Sequence, residues 1–131
     1  MLIWLGLLML AGCRTAPIYE SRGIAVPSNF TKEDTRKIIV RTIQDRSWIN
    51  RGWYLQEAMP DRVRVNLDLR SHHAVVDILY DEKTIRPVLV SSENLDEHDG
   101  VIHKHFNEWM ENLEKDIRIQ IGEEQAKREL K

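Results

Sequence analysis

The sequence predicts an α+β two-layer sandwich, built as helix, four-stranded antiparallel meander, helix, with both helices on one face of the sheet. Three observations carry this. First, residues 62–80 read RVRVNLDLRSHHAVVDILY, where Val63, Val65, Leu67 and Leu69 alternate with Arg62, Arg64, Asn66, Asp68 and Arg70. A period of two places the apolar side chains on one face of a strand and the polar ones on the other. After a polar break at Ser71 and His72, Ala74, Val76, Ile78 and Tyr80 repeat the pattern, so the pair reads as an antiparallel hairpin with one buried face. Second, Ile38, Ile39, Thr42 and Ile43 before the hairpin, and Ile102, Phe106, Trp109, Leu113 and Ile117 after it, recur at helical spacing. Third, a sheet with one apolar face needs a covering layer, which the two amphipathic helices supply.

Residues 1–12 (MLIWLGLLMLAG) are apolar and uncharged. They are shorter than the roughly 20 residues that span a bilayer as a helix and fit the apolar region of a signal peptide. Leu10-Ala11-Gly12-Cys13 resembles the lipobox of bacterial lipoproteins. That resemblance implies cleavage before Cys13, whose sulfur accepts a diacylglycerol, and so a palmitate-bearing mature N-terminus. No Lys or Arg precedes the apolar run, so its positive charge comes from the α-amine or from a start further upstream. Arg14, rather than Asp, follows the cysteine; by resemblance to Gram-negative lipoproteins this implies sorting to the periplasmic face of the outer membrane. Cys13 is the single cysteine and has no partner for an internal disulfide.

Residues 14–29 contain Pro17, Gly23 and Pro27 without apolar periodicity and read, with the lipidated Cys13, as a flexible tether. Its reach is at most about 50 Å. Residues 30–121 form the expected α+β domain. Thr31 and Asp34 have capping-box spacing, opening a helix over 32–47 that Asn50-Arg51-Gly52 stops. Residues 53–59 read as the first strand, Pro60-Asp61 as a turn, and 85–91 as the fourth strand, in which Pro87 suits an edge. The second helix starts near Ile102. Ile117, Ile119 and Ile121 alternate and fit a helix or a short strand, Gly122 weakens both, and 122–131 reads as a charged C-terminal tail.

Composition narrows function. Charged residues are 31% and hydrophobic ones 42% of a 131-residue chain, the balance of one soluble domain with a modest core. A net charge of −2 argues against a nucleic-acid partner, which requires a basic face. In the meander, the turn at 71–73, the exit of the fourth strand and the start of the second helix share one end. Arg51, Arg70, His72, His73, Ser92, Asn94, His98 and His103 therefore converge on one pole.

The stretches RSHHAVV, SSENL and IHKHFNEWMENLEKDI resemble a pattern of small proteobacterial lipoproteins of unknown function: R-x-H-x-A, S-x-N-L and I-H-x-x-aromatic-N-x-W. The match covers about residues 52–117. It marks Arg70, His72, Ala74, Ser92, Asn94, Leu95, Ile102, His103, Phe106, Asn107 and Trp109, and implies fold and location rather than an activity.

The pole admits two chemistries. Imidazoles near Asp96, Glu97 or Asp99 are zinc or copper ligand types, but no HExxH-type spacing is present, and no metal or other cofactor is expected. Alternatively, His72 and His103 hydrogen-bond loop carbonyls, Ser92 or Asn94. Ser92 or Ser71 with His103 and Asp99 lacks a nucleophile elbow, and the six scattered glycines form no phosphate loop, so no enzyme is expected. Two function classes remain. One is an envelope interaction or structural module with a protein partner, favoured by the outward row of Arg62, Arg64, Asn66, Asp68 and Arg70 beside His73, Val75, Asp77 and Leu79. The other is a small periplasmic ligand or metal-binding sensor using Arg70, His72, Ser92, Asn94, His103 and Asn107. Trp53, Trp109, Phe106 and Tyr80 are expected in the core, and Trp48 as a surface anchor.

Overall fold

A computed structural model describes residues 14–45 and 52–130. In chain order the elements are β1 (Thr15–Pro17), β2 (Ile24–Ala25), α1 (Lys32–Gln44), β3 (Trp53–Ala58), β4 (Arg62–Leu69), β5 (His72–Tyr80), β6 (Thr84–Glu93), β7 (Val101–His103) and α2 (Lys104–Glu129). The main sheet has the antiparallel order β2-β6-β5-β4-β3, and β1 pairs with β7 in a separate two-stranded sheet. The α+β sandwich is the observed fold, with the four-strand meander extended by β2. Cys13, Trp48 and Arg51 lie outside the described residues.

The register shows why one face is the core. Val63 pairs with Ile78, Val65 with Val76 and Leu67 with Ala74, and all six are essentially inaccessible to solvent. Ile38, Ile39 and Ile43 of α1 and Phe106, Met110, Leu113 and Ile117 of α2 are buried, most of them in one cluster with that face. Each such large aliphatic side chain contributes about 1.5–3 kcal/mol by leaving water. The capping box holds: Thr31 Oγ1 accepts from Asp34 N–H at 3.0 Å, and Asp34 Oδ2 accepts from Thr31 N–H at 2.9 Å. Gly52, at φ 90°, is required by close approach as well as by conformation. A Cβ there would lie 2.8 Å from Leu69 Cδ2 and 2.9 Å from the Asp68 carbonyl oxygen.

Two expected boundaries are corrected. The segment at 14–29 is no free tether. β1 and β2 each add to a sheet, Ile24 and Phe30 are buried, and Val26 N–H donates to the Lys83 carbonyl at 2.9 Å. Strands of two and three residues are too short to show a period, so turn-forming residues between them concealed the pairing. The charged tail at 122–131 is also corrected, since α2 continues through Gly122 to Glu129. Glu, Gln, Ala, Lys and Arg are strong helix formers, and one glycine costs only about 1 kcal/mol. Arg128 secures this last turn, stacking over the Phe30 ring at 4.4 Å and pairing with Asp34 at 3.3 Å. Ile117 and Ile121 are thus helical, while Ile102, expected near the helix start, sits in β7.

Candidate functional site

At the predicted pole, the ends of β5 and β6 and the start of α2 meet, bringing His72, Asn94 and His103 together. Leu69 pairs with His72 across the two-residue turn Arg70-Ser71, where Arg70 adopts φ 58°. Asn94, also left-handed at φ 58°, ties the ends of β5 and β6 together. Its Nδ2 donates to the Ser71 carbonyl at 3.0 Å, and its own carbonyl lies 2.6 Å from His72 Nδ1. A carbonyl oxygen only accepts, so His72 carries its proton on Nδ1.

His103 N-caps α2: its Nδ1 accepts from His105 N–H at 3.2 Å. Ring centroids of His103 and His72 are 6.1 Å apart, His103 and His105 stack at 4.7 Å, and Trp109 lies 6.0 Å from His72 and 6.5 Å from His105. Burial first, then the neighbouring imidazoles of His105 and His72, keeps His103 below the ordinary imidazole pKa. His105 belongs to this cluster as well; Trp109, expected in the core, is half-buried beside it.

The remaining predicted residues divide. Ser92 Oγ donates to Glu97 at 2.5 Å. Arg70 makes no hydrogen bond or ion pair among the described residues and stands exposed. Asn107 clamps the N-terminal segment, its Oδ1 accepting from Tyr19 N–H at 3.0 Å and its Nδ2 donating to the Pro17 carbonyl at 2.9 Å. Beside it, Tyr19 Oη donates to the buried Glu114 at 3.0 Å. Glu114 shares a helical stripe with Met110 and Ile117, and a carboxylate inside an apolar stripe was the available signal that a buried partner would meet it. Among the described residues no group of three or more His, Cys, Asp or Glu is arranged to hold a metal ion.

The outer face of the sheet is the second candidate. Arg64 grips Asp77 with both ends of its guanidinium, Nε to Oδ1 at 2.7 Å and Nη2 to Oδ2 at 2.9 Å, and Arg62 Nη1 reaches Oδ2 at 3.3 Å. These hydrogen bonds, Arg64's first, outweigh burial and hold the Asp77 carboxyl below its ordinary pKa. Asn66 donates to Gln56 at 2.8 Å. His73 hydrogen-bonds Asp68, whose pKa is lowered first by that contact and then by Tyr54. Around these groups, Val75 and Leu79 are half-buried, while Tyr54 is 44%, Val88 38% and Val90 47% exposed.

Comparison of the chain with protein-family models, curated proteins and solved structures finds no match. Among the described residues no helix is long and apolar enough to cross a membrane.

Proposed function

We propose that this chain is a lipid-anchored bacterial envelope protein, acylated at Cys13, whose domain is an interaction module for another envelope protein. The anchor rests on the apolar residues 1–12 and the lipobox-like Leu10-Ala11-Gly12-Cys13. The module rests on the sheet face that no described element covers, where Tyr54, Val88 and Val90 are exposed around the Arg62–Asp77–Arg64 group. Apolar side chains gathered around a fixed charge pattern are what protein recognition uses, the first for burial and the second for register. β6 adds an open edge, because β2 pairs only with Thr84 and Ile85, and an unpaired strand edge accepts an added strand. The polar pole supports the same reading, since His72, Asn94, His103 and Asn107 spend hydrogen bonds on their own domain.

The test places a photo-crosslinking residue at Val88 or, as control, at the exposed Lys115 in the membrane fraction of cells. A discrete protein adduct from Val88 and none from Lys115 is expected, and Cys13→Ser should move the protein out of the membrane fraction or leave it unprocessed. Equal or absent adducts would refute the module, and unchanged fractionation would refute the anchor. A ligand-binding sensor remains the second reading because His72 and His105 turn Nδ1 to Asn94 and Glu108. Zinc binding lost on His72→Ala would favour it.

A further inference from the structure

We propose that the end of the domain formed by His72, His103, His105 and Trp109 is its membrane-facing seat, resting on phospholipid headgroups. The inference rests on the lipid-anchored reading above and follows from chain length. Lys104 N–H donates to the Arg14 carbonyl at 3.0 Å, Thr15 pairs with His103, and Ile18 N–H donates to the Gly100 carbonyl at 3.0 Å. Asn107 then holds the backbone at Pro17 and Tyr19. The chain is therefore fixed to the domain from Arg14 onward, and Cys13 is the next residue.

Consecutive Cα atoms are 3.8 Å apart, so the sulfur of Cys13 lies within about 7 Å of the Arg14 Cα. A spacer of 16 free residues would have allowed about 50 Å and any orientation; a pinned Arg14 allows neither. Two acyl chains suffice to hold a protein at a bilayer, and they must enter it beside the first turn of α2.

The side chains found there suit that surface. Arg14, Lys104 and His105 are exposed, and Arg14 and Lys104 offer cations to lipid phosphates. Trp109 lies five residues into α2, about 7.5 Å along its axis, with a half-buried ring of the kind that sits at a membrane–water boundary. Asp96 and Glu108 are at the same end, so the short anchor rather than net charge seats it. α2 runs away from the bilayer for about 39 Å, ending where Arg128 meets Asp34 and Phe30. β5 starts at the seat with His72 and finishes at Tyr80 beside Lys32. The outer sheet face then stands clear of the membrane, presented sideways to a partner.

The experiment uses the processed full chain, with acylation at Cys13 verified by mass spectrometry, in vesicles of phosphatidylethanolamine and phosphatidylglycerol. A fraction of the headgroups carries nitroxide. Fluorophores are placed singly at Lys104→Cys and Lys83→Cys, both exposed positions at opposite ends of the domain. Quenching several-fold stronger at 104 than at 83 is expected. Equal quenching, or stronger quenching at 83, in protein acylated at Cys13 overturns the seat alone. Protein recovered without acylation at Cys13 overturns the lipid-anchored reading and the seat with it.

Discussion

The two faces of the sheet bury side chains by different means. On the inner face, two helices press Ile39, Ile43, Phe106 and Ile117 onto Val63, Val65, Val76 and Ile78, and burial comes from apolar packing. On the outer face no helix arrives among the described residues, yet Asp77 and Asn66 are only 5% and 7% exposed. Their cover is the neighbouring long side chains: Arg62 and Arg64 over the carboxylate, Gln56 over the amide. Arginine stems exclude water while their charged heads stay wet. The difference teaches that low exposure is no sign of a layer above, and that the charges of the outer face are paired with one another rather than each solvated alone.

The comparison breaks most visibly on the inner face. Phe106 is fully buried, so Phe106→Ala removes an aromatic ring that two layers share and should cost about 3–5 kcal/mol in urea melts. A loss under about 1 kcal/mol would mean that the α2 layer does not seal the sheet.

On the outer face, Asp77→Asn at pH 7 should cost less, about 1–3 kcal/mol, by leaving two guanidiniums poorly matched. Its pH signature is specific. The folded carboxyl sits below its ordinary value of 3.8, so the unfolded chain binds the proton first as pH falls. The stability contribution is complete above that value and lost as pH drops through the lower folded one. Wild type and Asp77→Asn should therefore converge only in strong acid. Asp116 runs the opposite way: burial raises it to about 6, so it lowers stability as pH climbs from about 4 to 6, a window above that of Asp77. Curves for the two proteins that stayed parallel down to pH 2 would remove Asp77 from the acid limb.

The smallest effect tests the pole, where both faces end. His103→Ala loses the acceptor that caps α2 and should cost about 0.5–2 kcal/mol, the loss tracking any loss of function. Unchanged stability together with lost zinc binding would make the pole a ligand site instead of a brace.

Period-two and helical spacing made β4, β5, α1 and much of α2 legible, because residues such as Val63 and Ile78 have to meet a core wherever they fall. The capping box at Thr31 and Asp34 was equally local. Following strand directions was enough to bring His72 to His103, at 6.1 Å between rings. What the sequence hid was contact without periodicity. β1 and β2 are too short to show a pattern, and the clasp of Tyr19 on Glu114 spans 95 residues.

The sequence by itself determined the α+β class, the core face and the meeting of His72 with His103, since each depends on neighbouring residues or on chain direction. Only the tertiary structure decided that Arg14 is pinned to Lys104 and that Asn107 clamps the backbone at Pro17 and Tyr19. It also decided that Asp77 is buried under the side chains of Arg62 and Arg64 and that α2 continues past Gly122. These depend on which distant side chain is close enough to offer a hydrogen bond or an apolar surface, and spacing along the chain carries no record of that distance.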